Sequence, residues 1–387
     1  MASPVNDAYS AASGITIYGG RFTFDTFDSV SVFSEDPAGI PYTTPNQVMV
    51  LQLHASSGSN YAIGRQYRAN VSGYMAKDSY NVHSFYTART TFLNTMQIRP
   101  MDNYPGATPF ETMHMGYKYP DGFVHLMTRR RAIATYRWAM ANLTQFDPSK
   151  TCVAGGSMGG WGTLNVGLRH PELFAALYAD RPRWRYNGAF GKVQVQVYGV
   201  GPTSVDVGAS PNLAPQDGGG SYAAFMDHIA YVANTANKVA WIGWCVGWED
   251  GFTTRQDHVD AVAALRSAKR GFAFYWNAGN HSVGSIPHLI TNSYPYGTFQ
   301  IGKGYPLFTD HSGDGDPAVD ETGSINGGLS FRNVVESASG WACEVTSILG
   351  ARTVKVEPIS EVFLASVSKQ TVTIPAANTW VPVSFSV

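Results

Sequence analysis

The chain has 387 residues, enough for one large α/β domain with a smaller appendage. Charged residues make up 14% of it, against about 25% in an average soluble domain, and the formal net charge is −1 at pH 7. Such a near-neutral chain exerts no long-range pull on nucleic acid or on an anionic membrane surface, and no stretch has the length of a membrane span.

The first seven residues lack the basic and apolar regions of a signal peptide. The expectation is a soluble chain, with its compartment open and prior removal of an export signal among the options. Residues 13–34 alternate, with Ile15 and Ile17, Phe22 and Phe24, then Val30 and Val32, which predicts an antiparallel meander at one edge of a sheet. Val48 to Leu53 is a near-continuous apolar run of the kind a parallel strand shows when both its faces are covered, and it runs into a loop at His54. Phe92 to Ile98 predicts the next strand. Ile133, Tyr136, Met140 and Leu143 recur at helical spacing, with Asp147 and Pro148 ending the segment.

Cys152, Val153 and Ala154 then form a short apolar strand. It runs into Gly155-Gly156-Ser157-Met158-Gly159, a G-x-S-x-G pattern, and into helical spacing at Trp161, Leu164 and Leu168 that stops at Pro171. Phe174 to Ala179 predicts a strand, and the irregular stretch over about 181–238, rich in Gly, Pro and aromatics, predicts a cap-like insertion. Val239 to Val246 is another buried strand, left through Gly247 to Gly251. Residues 254–270 predict a helix with Val259, Val262 and Leu265 on one face, and Phe272 to Trp276 is the strand that leads into His281. Strands alternating with helices in this way predict an α/β fold with a doubly wound, mostly parallel sheet over residues 1–300. Short alternating runs at Thr353 to Val356, Val362 to Val367 and Thr371 to Ile374 predict a small, sandwich-like all-β domain over residues 301–387.

A serine at the tip of a strand-to-helix turn has its hydroxyl pushed into the open, beside amide donors and the positive end of the helix dipole. A hydroxyl is a poor nucleophile, so it needs a base within hydrogen-bonding reach and a third group to orient that base. Asp250 and His281 each follow a predicted strand, in the order acid then histidine after Ser157. Glu249 and Asp257 compete for the acid position, and His288 for that of the base. His54, His114 and His125 are expected to be structural or surface residues.

From about Val48 to Ser285 the chain resembles the α/β-hydrolase family, with an esterase and depolymerase-like, feruloyl or acetyl-xylan esterase flavour. The resemblance rests on Leu53-His54-Ala55-Ser56, where Ala55 replaces a common glycine, on Gly155 to Gly159, on Gly247 to Gly251 and on Gly279-Asn280-His281-Ser282. It implies Ser157 as nucleophile, His281 as base and Asp250 as its orienting acid, with the amides of Met158 and Ser56 as the oxyanion hole. The implied activity is hydrolysis of a carboxylic ester, on a small molecule or a polymer, through an acyl-enzyme and with no cofactor required. A peptidase of the prolyl-oligopeptidase kind and a non-catalytic binding protein on a hydrolase scaffold are the alternatives.

Several other residues carry two readings. Nine Trp and 21 Tyr suggest aromatic surface facing a ligand; Trp161, Trp184, Trp244 and Trp248 either line an aromatic pocket or pack the core, with Trp161 and Trp248 the candidate substrate contacts. Arg181, Arg183 and Arg185 either meet a substrate carboxylate or serve as loop charges and ion pairs. Three cysteines form no disulfide framework. The acidic run from Asp310 through Asp314 and Asp316 to Glu321 is either a solvated loop or a structural Ca²⁺ site.

Overall fold

A computed structural model describes residues 5–6, 17–24, 27–34, 47–53, 95–100, 114–142, 146–185, 192–197, 201–206, 211–281 and 286–387. The edge meander forms as β1 (Val5–Asn6), β2 (Ile17–Phe24) and β3 (Phe27–Ser34), all antiparallel. Apolar runs then give β4 (Gln47–Leu53) and β5 (Thr95–Pro100). Two short strands follow, β6 (Tyr117–Lys118) and β7 (Val124–His125), before helix α1 (Met127–Asn142). Strand β8 (Phe146–Gly156) leads through Ser157 into α2 (Met158–Gly167) and on to β9 (Ala176–Asp180). Asp147 and Pro148 lie inside β8 and not at a helix end. There the pairing with β4 jumps from Phe146↔Gln47 to Thr151↔Met49, which tolerates a proline.

The insertion contributes β10 (Lys192–Val197), β11 (Gly201–Asp206), and short helices α3 (Tyr222–Phe225) and α4 (His228–Ala233). Expected to be irregular, it instead contributes two strands that join the earlier β6 and β7 in a four-stranded sheet in the order β11-β10-β6-β7. Leu213, Tyr222 and Met226 of the insertion share one apolar cluster with Met115, Val124 and Trp161, so the insertion rests against the first turn of α2. Then come β12 (Trp241–Gly247), α5 (Arg255–Ser267), β13 (Phe272–Asn277) and α6 (Ile286–Ser293). Thr254 caps α5 by accepting a hydrogen bond from the amide of Asp257.

The main sheet runs β1-β2-β3-β5-β4-β8-β9-β12-β13-β15, with β15 (Gly323–Ile325) antiparallel at the far edge. The strands from β5 to β13 in that order are parallel. Alternate residues of these strands supply two cores. On one face Leu51, Val153, Leu177, Trp244 and Phe274 pack against residues of α1, α2, α4 and α5. On the other, Val50, Cys152, Tyr178, Trp241 and Tyr275 pack with Ile290 of α6 and with the C-terminal strands. Those strands are β14 (Tyr305–Thr309), β16 (Leu329–Ser337), β17 (Gly340–Ser347), β18 (Arg352–Ile359), β19 (Gln370–Ile374) and β20 (Val381–Ser386). They form two antiparallel three-stranded sheets, so the all-β character expected after residue 300 is present, while β15 from the same stretch joins the parallel sheet.

Val362 to Val367 is a loop, contrary to the strand expected there. Its alternation is real, since Phe363, Ala365 and Val367 pack inward while Val362 and Leu364 are exposed, yet no strand pairs with it among the described residues. Alternation sets which way side chains face; a ladder also needs a neighbour. Among the described residues no helix is long and apolar enough to cross a membrane.

Candidate active site

The serine turn is built by backbone contact. Ser157 takes φ 56° and ψ −123°, a conformation costly for a residue with a side chain, and its amide donates to the carbonyl of Asp180 at 3.0 Å. A Cβ on Gly155 would lie 2.3 Å from the carbonyl oxygen of Gly159, so the turn closes only with glycine at its base.

The acid loop after β12 and the histidine loop after β13 are zipped together. The amides of Trp248 and Glu249 donate to the carbonyls of Asn277 and Gly279 at 2.9 and 3.0 Å. Gly247 allows this approach, since a Cβ there would meet the Gly279 carbonyl oxygen at 2.1 Å. Asp250 is buried; its Oδ1 accepts the amide of Phe252 at 2.9 Å and its Oδ2 lies 2.8 Å from His281 Nδ1. The other ring nitrogen, Nε2, lies 2.6 Å from Ser157 Oγ. A carboxylate only accepts, so the Asp250 contact assigns the proton to Nδ1 and leaves Nε2 as acceptor for the serine hydroxyl. The structure thus brings Ser157, His281 and Asp250 into one hydrogen-bonded line, whereas Glu249 is exposed and Asp257 pairs with Arg185 in the first turn of α5. His288 falls on α6.

Behind the acid loop stands a buried histidine that the sequence did not single out. The indole N–H of Trp244 donates to His258 Nδ1 at 3.2 Å, so His258 Nε2 carries the proton and donates to Thr253 Oγ1 at 3.0 Å. Burial pushes His258 down to about 3, which keeps it neutral. Phe252 projects from the same loop, 56% exposed, with its ring 4.9 Å from the His281 imidazole and 6.4 Å from Trp161.

Other expected site residues are distributed as follows. Met158 is the first residue of α2, directly after the serine; Ser56 and His54 lie outside the described residues. Trp161 is buried beside Phe252, with its indole N–H donating to the Arg181 carbonyl at 3.0 Å. Trp248 is engaged elsewhere: its indole N–H donates to the Asp320 carbonyl at 3.0 Å and Arg255 lies over its ring, so it packs the junction with the acidic loop. Arg185 is held by Asp260, Asp257 and Asp227, and Arg183 lies over the Trp161 ring.

Asp310, Asp314 and Asp316 do not converge as a ligand set. Asp310 pairs with Lys355 at 2.8 Å, and Asp314 meets Arg266 at 3.0 Å, His311 at 3.0 Å and the amide of Asn326 at 2.7 Å. Asp316 accepts the amide of Ala318 at 2.9 Å. Partners of their own relieve the mutual repulsion of these carboxylates, and the described residues hold no group of three or more His, Cys, Asp or Glu side chains that could bind a metal.

A mostly parallel sheet flanked by helices, with a serine on the strand-to-helix turn after a central strand, is the α/β-hydrolase fold. Solved structures similar to the chain include a ferulic acid esterase, at 12% identity over 73% of this chain and 97% of that one with a TM-score of 0.47. They also include the fluorophosphonate-binding serine hydrolase F of Staphylococcus aureus, at 13% identity over 72% and 97% with a TM-score of 0.45. An acylaminoacyl peptidase of Pyrococcus horikoshii matches at 12% identity over 71% of this chain but only 39% of its own length, with a TM-score of 0.44. No protein-family model matches the chain, and no curated protein matches it in sequence.

Proposed function

We propose that the protein is a serine hydrolase that cleaves carboxylic esters through an acyl-enzyme. The observation that carries this is the continuous line from Ser157 Oγ through the His281 ring to Asp250, at 2.6 and 2.8 Å, on a strained serine turn. Ser157 Oγ attacks the acyl carbon as its proton passes to His281 Nε2, and Asp250 holds the imidazolium by its Nδ1–H. The amide of Met158, with that of Ser56, receives the oxyanion. The imidazolium then protonates the departing alcohol, and water, deprotonated by the same nitrogen, releases the acid. Phe252, exposed and set against the His281 ring, gives the site an apolar wall, which suits an apolar group next to the scissile carbonyl.

The test is labelling by a fluorophosphonate probe, read beside hydrolysis of p-nitrophenyl esters and peptide p-nitroanilides. Wild type should label once and cleave the esters. Ser157→Ala should do neither, with a loss on the order of 10⁴ or more in rate and an unchanged melting temperature. Label-free wild-type protein would remove the serine reading, and Ser157-dependent cleavage of anilides without esters would replace esterase by peptidase.

A further inference from the structure

Directly beneath the serine turn lies a charged pair that takes no part in the chemistry above. Asp180 ends β9 with its side chain fully buried, and Arg181 follows with its side chain 9% exposed; Arg181 Nη2 lies 2.6 Å from Asp180 Oδ2. The Arg181 backbone is pinned on both sides. Its amide donates to the Cys245 carbonyl at 2.8 Å, its own carbonyl accepts the Trp161 indole at 3.0 Å, and its φ of 55° is a left-handed value for a non-glycine residue. The second guanidinium arm, Nη1, donates to the backbone carbonyl of His281. Gly156 leaves the space: a Cβ there would sit 2.9 Å from Asp180 Oδ2 and 3.1 Å from Arg181 Nη2.

Both halves of the reacting pair therefore hang on these two residues. Ser157 is tied by its amide to the Asp180 carbonyl, and His281 is tied by its carbonyl to the Arg181 guanidinium. We infer that Arg181 is a positioning residue that sets the separation of Ser157 Oγ and His281 Nε2, acting through the histidine's backbone without touching substrate; this rests on the serine-hydrolase reading. The guanidinium suits the task because its planar fork serves two acceptors in fixed directions, whereas an ammonium is a single point. With both arms occupied, Arg181 is not free to meet a substrate carboxylate.

The experiment uses Arg181→Lys in the full chain. Lysine keeps a cation for the buried Asp180, and so the fold, but cannot bridge to the His281 carbonyl as well. The double variant Asp180→Asn/Arg181→Met removes both charges and guards against a lysine variant that fails to fold, since a lone buried charge is strongly destabilising. Arg185→Lys, whose partners are the N-cap of α4 and two carboxylates of α5, is the control. Three quantities are read: kcat and KM on p-nitrophenyl acetate, the melting temperature, and the far-downfield proton resonance of the His281 Nδ1–H bonded to Asp250. Arg181→Lys should melt near wild type, lose kcat on the order of 10²-fold as expected for an ångström of misplacement, leave KM within about threefold, and broaden or lose the downfield proton. Arg185→Lys should retain both kcat and the resonance. An Arg181→Lys protein with wild-type kcat and an intact resonance overturns the positioning role. A loss confined to KM would instead place Arg181 on the substrate, and a loss in both variants that tracks only the unfolded fraction would make the pair purely structural. Wild type that shows the downfield proton but no Ser157-dependent hydrolysis fails the hydrolase reading alone, and the resonance in Arg181→Lys then still decides the positioning role.

Discussion

Between Glu249 and Asp250 the chemistry is separated by one residue of backbone. Glu249 turns outward with its amide on Gly279, while Asp250 turns in with one carboxylate oxygen on the Phe252 amide and the other on His281. Asp250→Asn should therefore remove most activity, on the order of 10⁴-fold in kcat, because an amide can hold the imidazole in the wrong tautomer, whereas Glu249→Gln should stay within about twofold. Steady-state kinetics on both variants checks this, and the reverse ranking would transfer the acid role. Phe252 makes a separate prediction. Its exposed ring against His281 should contact the substrate, so Phe252→Ala should lower kcat/KM roughly tenfold for aromatic or long-chain esters and little for acetate. Equal losses on both substrates would count against an apolar contact.

At the scale of elements, α2 and the acid loop are held by contacts that also set their tolerances. A Cβ on Gly160 would lie 2.1 Å from the carbonyl oxygen of Asp180, which is backbone and cannot swing aside. Gly160→Ala should cost about 1–3 kcal/mol and push α2 off β9, measurable by denaturant unfolding together with a fall in ester turnover. The acid loop depends on neutral His258. Its value of about 3 in the fold lies below the ordinary 6.5, so between these the unfolded chain binds more protons. Stability is then full above pH 6.5 and falls as the pH drops, by about 1.4 kcal/mol per unit for one such histidine. Buried His228 is shifted in the same direction by desolvation and adds to the slope. Equal denaturation midpoints at pH 7 and pH 5 would contradict this.

These elements also show what was readable beforehand. The parallel strands announce themselves by unbroken apolar runs, and Ser157, Asp250 and His281 each stand within a few residues of such a run's end, so local pattern sufficed to bring them forward as candidates. The choice of Asp250 over Glu249 required the backbone direction of a loop. Arg181, Phe252 and His258 carry no local signal of their present contacts, because each matters through something distant or irregular in sequence; the carbonyl that Arg181 holds is 100 residues away. The small sheet gives little local signal, because β6 and β7 are only two residues long and lie far from the insertion, while β10 alternates valine with polar residues and β11 contains proline.

Taken whole, the molecule is welded along one face of its parallel sheet. Leu329, Phe331, Trp341, Val345, Val356 and Ile374 belong to the same buried cluster as Val50, Cys152 and Tyr275, and the Tyr275 hydroxyl accepts the amide of Gly328 at 2.7 Å. Residues 1–300 expressed alone should therefore lack a cooperative melting transition and bind a hydrophobic dye, because that face would be left in water. A monomeric fragment with a sharp transition and ester turnover would show the two parts to be independent.

The short strand β15 carries this dependence into the timing of synthesis. Ser157, Asp250 and His281 all leave the ribosome before residue 282, but β13 remains an open edge until Gly323–Ile325 arrives, and the cluster on the neighbouring face is complete only with Phe385. About 44 residues separate His281 from Ile325 and about one hundred separate it from Phe385, which at roughly 5–20 residues per second leaves β13 a bare edge for roughly 2–9 s and the apolar face uncovered for roughly 5–20 s. Over that interval the uncovered face is the kind of apolar surface that holding chaperones bind, while the contacts that shape the Ser157 turn, to Gly159 and Asp180, already lie in emerged chain.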